Sequence, residues 1–290
     1  MRTRLAAAAL LAVTAVWGST FFLIKDLLDR IPATDFLAVR FAIAFAAMFL
    51  LAPQAISRLS PEVRRRSAYA GGIYGVAQIL QTVGLGHTDA SVSGFITGLY
   101  VVATPVLASL AFRQRVSRTV WIAVGLSTVG LAILSLRGFS VGFGESITFV
   151  CAILYAVHII VLSRWSTAAD AYAMATIQMG VIAALCLVAA APGGVTIPHR
   201  SDDWIAVVYM ALAAGALAMV LQTWAQSQLD AARSALLMTM EPVFAATFAI
   251  TLGTEGVSWR LLLGGSFVLT AMVLAETSGR SETPVQIPLD

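Results

Sequence analysis

The chain has 290 residues, of which 59% are hydrophobic and only 11% charged, with a mean hydropathy of +0.87. Soluble domains carry about 25% charged residues, so a single water-soluble core is excluded and most of the surface must face something other than water. The net charge of +3 comes from arginines in short segments between apolar stretches, which argues for membrane topology and against a nucleic-acid partner.

A hydrocarbon layer of about 30 Å takes about 20 helical residues to cross. Apolar segments of that length lie near 5–24, 34–52, 67–86, 91–112, 119–136, 143–163, 171–191, 203–226, 233–252 and 258–276. The expected fold class is therefore an all-α integral membrane protein with ten transmembrane helices, because lipid offers no partner to unpaired backbone groups. The first apolar stretch runs from Leu5 through to Ile24 without a convincing cleavage site, and reads as a retained helix rather than a signal peptide. With a cytoplasmic amino terminus, twelve arginines fall in inner segments and five Lys or Arg in outer ones. That bias places both termini inside, with 279–290 as a cytoplasmic tail. Trp121, Trp165, Trp204, Trp224 and Trp259 sit near segment ends, the usual interfacial belt, whereas Trp17 lies deep in the first segment.

Polar side chains inside apolar helices cost up to a few kcal/mol, so those that persist face a cavity or a partner. In chain order, the second segment holds Arg40, for which snorkelling to water or to Asp35 is the expected structural role. Tyr74 and Gln78 share one side of the third segment with Gly71, and Gln81 extends that side. Ser93, Thr97, Tyr100 and Thr104 keep one helical register in the fourth, as do Cys151, Tyr155 and His158 in the sixth. The eighth gives Gly215, Met219, Gln222 and Gln226, and the ninth Ser234, Met238 and Glu241. Hydroxyls at such positions usually bond helix to helix; Tyr74, Gln78, Tyr100, Tyr155 and His158 point instead to a cavity. Glu241, just before Pro242, is the only carboxylate near a predicted midplane. It has two readings: accepting a substrate ammonium or a proton, or capping backbone N–H groups at a proline kink. His158 likewise reads as a proton relay or as a neutral, hydrogen-bonded ring. Cys151 and Cys186 are read as small packing residues, with no disulfide framework and no metal-ligand spacing. Gly71/Gly75 and Gly94/Gly98 are GxxxG pairs suited to close helix contact.

The chain also repeats itself. Leu80/Leu221, Gln81/Gln222, Thr82/Thr223, Asp89/Asp230 and Ser93/Ser234 share one offset, 141 residues. Five segments per copy force the second copy to enter the membrane from the opposite side, giving inverted halves at 1–139 and 140–278, the arrangement typical of alternating-access transporters. The inversion puts Gln81 near the outer end of its segment and Gln222 near the inner end of its own. They are expected not to face each other across one site, but to serve as gate candidates at two mouths. No HExxH or metal cluster appears, so neither an enzyme nor a cofactor is expected.

Val16-Trp17-Gly18-Ser19-Thr20-Phe21, Val39-Arg40-Phe41, Glu241-Pro242-Val243-Phe244 and Gly253-Thr254-Glu255 together resemble the EamA-type branch of the drug/metabolite transporter superfamily. The likeness runs from about residue 5 to 276. Within that branch, Ser93-Gly94-Phe95-Ile96-Thr97-Gly98-Leu99-Tyr100 and Thr104-Pro105 are similar to YddG-type amino-acid exporters. The resemblance implies a cavity lined by helices 1, 3, 4, 6, 8 and 9, in a multi-pass protein of the bacterial inner (plasma) membrane. The acidic position that follows the proline helix is Glu255 in the second half but Gln114 in the first, which speaks against a symmetric carboxylate pair.

The expected function is export of neutral or aromatic amino acids, or related small metabolites, by alternating access. Trp17, Tyr74, Tyr100 and Tyr155 would supply π-faces and hydroxyls, while Gln78, His158 and Glu241 would satisfy the ammonium and carboxylate of a zwitterion. Organic phosphate is disfavoured, since no Lys or Arg is expected at the midplane. The partners are then the small-molecule substrate, the lipid bilayer and, where Glu241 or His158 exchanges one, a proton. A broad drug or metabolite exporter is the nearest alternative. A non-transporting receptor or assembly subunit is a more distant one, which has no need of two inverted halves.

Overall fold

A computed structural model of the protein describes residues 2–88, 90–112, 116–135, 142–251 and 257–278. Asp89 of the repeat, Gln114, Glu255 and the tail 279–290 lie outside the described residues. Within them the chain is helical, with no strand.

The first apolar segment is split into α1 (Arg2–Gly18) and α2 (Phe21–Leu28). Gly18 is a poor helix former. The next two hydroxyls turn back on the helix: Ser19 Oγ donates to the Val16 carbonyl at 2.7 Å and Thr20 Oγ1 to the Trp17 carbonyl at 2.8 Å. α3 (Ala33–Leu51) and the short α4 (Gln54–Ser57) lead to α5 (Pro61–Gly86). The start of α5 is encoded locally by Ser60, whose side chain accepts the Val63 N–H, by Pro61 in the first turn and by Glu62. The fourth apolar segment is interrupted at Leu99, between α6 (Ala90–Gly98) and α7 (Tyr100–Phe112), and α8 (Arg118–Ser135) follows.

α9 (Phe143–Trp165) is fastened at its start by Glu145, whose carboxylate accepts the Gly142 N–H at 3.0 Å and the Thr88 hydroxyl at 2.6 Å. After α10 (Ala171–Ala190), a continuous rod is built from α11 (Ser201–Ala211), a π-helical segment (Leu212–Leu217) and α12 (Ala218–Gln226). Asp230 then caps α13 (Ala231–Met238) through the Arg233 N–H at 2.9 Å. The chain breaks at Thr239-Met240 before α14 (Glu241–Thr251), and ends described residues with α15 (Trp259–Ser278). Pro242 has no N–H to give the Met238 carbonyl, and Thr239 Oγ1 turns to the Leu236 carbonyl at 2.6 Å, so the ladder stops there. Leu99 and Met240, at the interruptions of the fourth and ninth apolar segments, are 141 residues apart, the offset of the sequence repeat.

Small residues set the main crossings. α5 packs against α9 and α10, α10 against α3, α8 against α15, and α1 against α12 and α14. A Cβ on Gly71 would stand 2.8 Å from Gln178 Cα and one on Gly75 2.9 Å from Leu185 Cδ1, so this GxxxG pair does seat α5 on α10. In the second pair only Gly98 sits at a crossing, 2.8 Å from Leu131 Cδ1; Gly94 has open space beside it. Large apolar side chains such as Leu50, Leu51, Leu110, Val188 and Ile205 are exposed, while Arg40, Gln78, His158, Gln178 and Gln222 are buried. That distribution is the reverse of a soluble protein and fits a lipid-facing exterior. Among the described residues, four helical stretches, Ala33–Leu51, Phe143–Trp165, Ala171–Gly193 and Ser201–Gln226, are long and apolar enough to cross a membrane. Cys151 and Cys186 are both buried and free.

Beyond the first apolar segment, Arg30 joins Asp26 at 2.5 Å and the buried Asp203 of α11 at 2.7 Å, clasping the first half of the chain to the second. The Arg30 guanidinium hydrogen-bonded to Asp26 holds that carboxyl below its ordinary range.

Candidate functional site

One cavity of about 700 Å³, mouth included, lies among these helices. Trp17 of α1, Tyr74, Gln78 and Gln81 of α5, Tyr100 of α7, Tyr155 and His158 of α9, Gln222 of α12 and Glu241 of α14 all line it. The helical register explains why they converge. Tyr74 and Gln78 are one turn apart, as are Tyr155 and His158, and α5 and α9 pack together along those faces.

The α5–α9 wall is a connected polar cluster. Tyr155 Oη donates to Gln81 Oε1 at 2.7 Å, and Gln78 Nε2 donates to Tyr155 Oη. Gln81 Nε2 reaches Thr97 Oγ1 of α6 at 3.4 Å. The Tyr74 ring lies 5.4 Å from that of Tyr155 and 4.8 Å from the His158 ring, both tilted. Interhelical hydrogen bonds in membranes contribute on average only about 0.6 kcal/mol, so this cluster does little for stability and much to fix the shape of the wall. Tyr155→Phe is accordingly expected to lower stability by less than about 1 kcal/mol while reducing transport several-fold. Melting temperature and flux of the purified variant would show whether the two separate in that way.

His158 Nε2 lies 2.9 Å from Gln178 Oε1, while Gln178 Nε2 faces the Met174 carbonyl and Thr223 Oγ1, each at 3.4 Å. With Oε1 as the acceptor, Nε2 carries the hydrogen and Nδ1 is left as an acceptor with no partner among the described residues. Gln222 Oε1 is likewise buried and unpartnered among them. Glu241 opens α14, half-buried on the cavity wall, and forms no hydrogen bond or ion pair among the described residues. Its side chain does not cap the proline-marked helix start.

Trp17 braces the π-helical segment, and Arg40 the end of α11 just before it. Trp17 Nε1 donates to the Ala214 carbonyl at 2.9 Å, and Arg40 Nε to the Met210 carbonyl at 3.2 Å. A π-segment disturbs the regular ladder and leaves carbonyls open to such donors.

The structure departs from the sequence-based expectations at three places. Arg40 does not pair with Asp35, which instead accepts the Thr196 N–H at 2.9 Å and the Thr34 hydroxyl at 3.1 Å. Arg40 is buried and lines the cavity, so a cation borders the site although no Lys or Arg was expected at the midplane. Gln81 and Gln222 line the same cavity rather than being kept apart at two sites. The lining also draws on more than helices 1, 3, 4, 6, 8 and 9 of the expected ten, since Arg40 comes from the second. Thr20, Ile24, Thr82, Leu85, Thr97, Ile159 and Met238 complete the wall without having been singled out as site residues.

The EamA-like transporter family model matches the chain twice, over residues 4–136 and 142–277. A protein of Archaeoglobus fulgidus described as an uncharacterized transporter is 28% identical over 267 residues, covering 90% of this chain and 82% of that protein. A solved structure described only as the crystal structure of a protein superposes with a TM-score of 0.80 at 16% identity, covering 95% of this chain and 97% of the other, a likeness of fold.

Proposed function

The chain belongs to the EamA-like transporter family and is a membrane transporter; we propose that it is a YddG-like exporter of neutral and aromatic amino acids or closely related metabolites. The observation that carries this reading is the cavity itself. Its aromatic rings lie beside unpartnered acceptors, and a buried cation faces the same space.

Halves 1–139 and 140–278, run through the bilayer in opposite senses, would rock around this cavity and open it alternately to each side. Three things support that mechanism. The sequence offset of 141 recurs in the helix interruptions at Leu99 and Met240. Exchanging the halves converts the α5–α9 packing into α12–α1, and α7–α9 into α14–α1. The same exchange returns α3–α10 and α8–α15 to themselves. Gln81 and Gln222 then hold equivalent positions in the two halves, and each would stand nearer the open mouth in one of the two states. The arginine bias of the inner segments favours both termini on the cytoplasmic side. Glu241 and His158 permit proton exchange without requiring it.

Purified protein in liposomes, offered a panel of neutral amino acids with and without an imposed pH gradient, tests the reading. Flux of aromatic and branched-chain amino acids well above that of empty vesicles is expected. No flux of any neutral amino acid would overturn it.

A further inference from the structure

We propose that Arg40 is the residue that receives the substrate's carboxylate, so that the cavity selects zwitterions over cations of the same shape. This rests on reading the cavity as a transport site. Arg40 lies in the interior of α3 and is only 4% exposed. Its Nε is committed to the Met210 carbonyl, and the guanidinium lies 4.9 Å from the Phe41 ring centre and 5.9 Å from that of Phe36. Those contacts leave the terminal nitrogens without a hydrogen bond or carboxylate among the described residues. Asp35, the nearest acid in sequence, is already occupied by Thr196 and Thr34.

A guanidinium buried in an apolar bundle costs several kcal/mol unless an anion meets it. None of the described residues supplies one, but Arg40 lines a cavity that a ligand can enter. The same cavity holds the complementary set. The Glu241 carboxylate, His158 Nδ1 and Gln222 Oε1 are acceptors without a donor among the described residues. One wall therefore asks for a negative group and another for N–H donors, which is the charge pattern of an α-amino acid. The planar fork of Arg40 matches a carboxylate. A phosphate dianion would bring a second negative charge that one guanidinium does not neutralise.

The test uses full-length protein and four probes with one side chain: L-phenylalanine, its amide, phenethylamine and 3-phenylpropanoate. Binding is read by thermal shift in detergent, flux in liposomes. Wild type is expected to bind phenylalanine at least about thirtyfold more tightly than the amide. Arg40→Gln should bring the two within a few-fold by losing affinity for the acid and keeping it for the amide, while Arg40→Lys retains part of the discrimination. Equal wild-type affinity for acid and amide would overturn the proposal, and this holds even if Arg40→Gln does not fold. A folded Arg40→Gln protein that weakens both ligands equally would also overturn it, reducing Arg40 to a brace for the end of α11. Failure of the transport reading looks different: no flux above empty vesicles, with the acid–amide preference in binding intact, would leave the Arg40 site standing and remove export.

Discussion

Gly18→Leu is expected to abolish transport and to lower the melting temperature by roughly 5–10 °C, for a destabilisation of about 3 kcal/mol. A Cβ at residue 18 would stand 2.8 Å from Ala245 N, 2.8 Å from the Glu241 carbonyl and 2.9 Å from Phe244 Cβ. These are backbone atoms and a first side-chain carbon, not the ends of flexible chains, so no rotamer change relieves the clash and α1 must lift off α14. The functional consequence follows from position. Trp17 immediately precedes this contact and Glu241 is part of it, so both would leave their places on the cavity wall together. Gly72→Ala is the control: nothing lies within 4 Å of a Cβ there. It should be neutral or stabilising by about 0.5–1 kcal/mol through reduced chain entropy. Comparison of melting curves and flux for the two variants decides the point. A Gly18→Leu protein with wild-type values would mean that the α1–α14 contact is not what holds this wall.

Glu241→Gln should reduce amino-acid flux at least about thirtyfold while leaving the fold intact, because the amide is nearly isosteric and the carboxylate has no internal partner among the described residues to lose. The loss should extend to phenethylamine, which shares the ammonium, and spare 3-phenylpropanoate, which lacks it. Flux of the three compounds through wild type and variant measures this directly. Equal loss of all three would assign Glu241 to the moving parts of the cycle instead of to the ammonium.

Helical periodicity made most of the cavity wall legible before any coordinates. Tyr74 and Gln78, or Tyr155 and His158, can occupy one face of a helix only if that face meets something polar, and no other face of α5 or α9 offers as much. Arg40 was not legible in the same way. A single charge near the end of an apolar segment fits snorkelling as well as it fits a cavity, and the choice depends on how α3 is rotated against α11, which sequence spacing does not determine. The π-helical segment behind it was equally hidden, since Leu212-Ala213-Ala214-Gly215-Ala216-Leu217 carries no residue that marks a widened turn. Helix interruptions were readable where the backbone chemistry is explicit, as at Pro242, and unreadable at Leu99, where α7 passes through Pro105 and the break falls six residues earlier. Gln81 and Gln222 show the limit of a topological argument. Their opposite placement along the repeat does not prevent two side chains from reaching one cavity.

Single cysteines at Arg4 and at Phe143, both exposed, placed in a Cys151→Ser, Cys186→Ser background and probed in intact cells with a membrane-impermeant thiol reagent, test the arrangement of the two halves most directly. Five crossings between those positions require that the reagent reach the cysteine at 143 and not the one at 4. Labelling of both from the same side would contradict halves of opposite sense, and with them the rocking cycle.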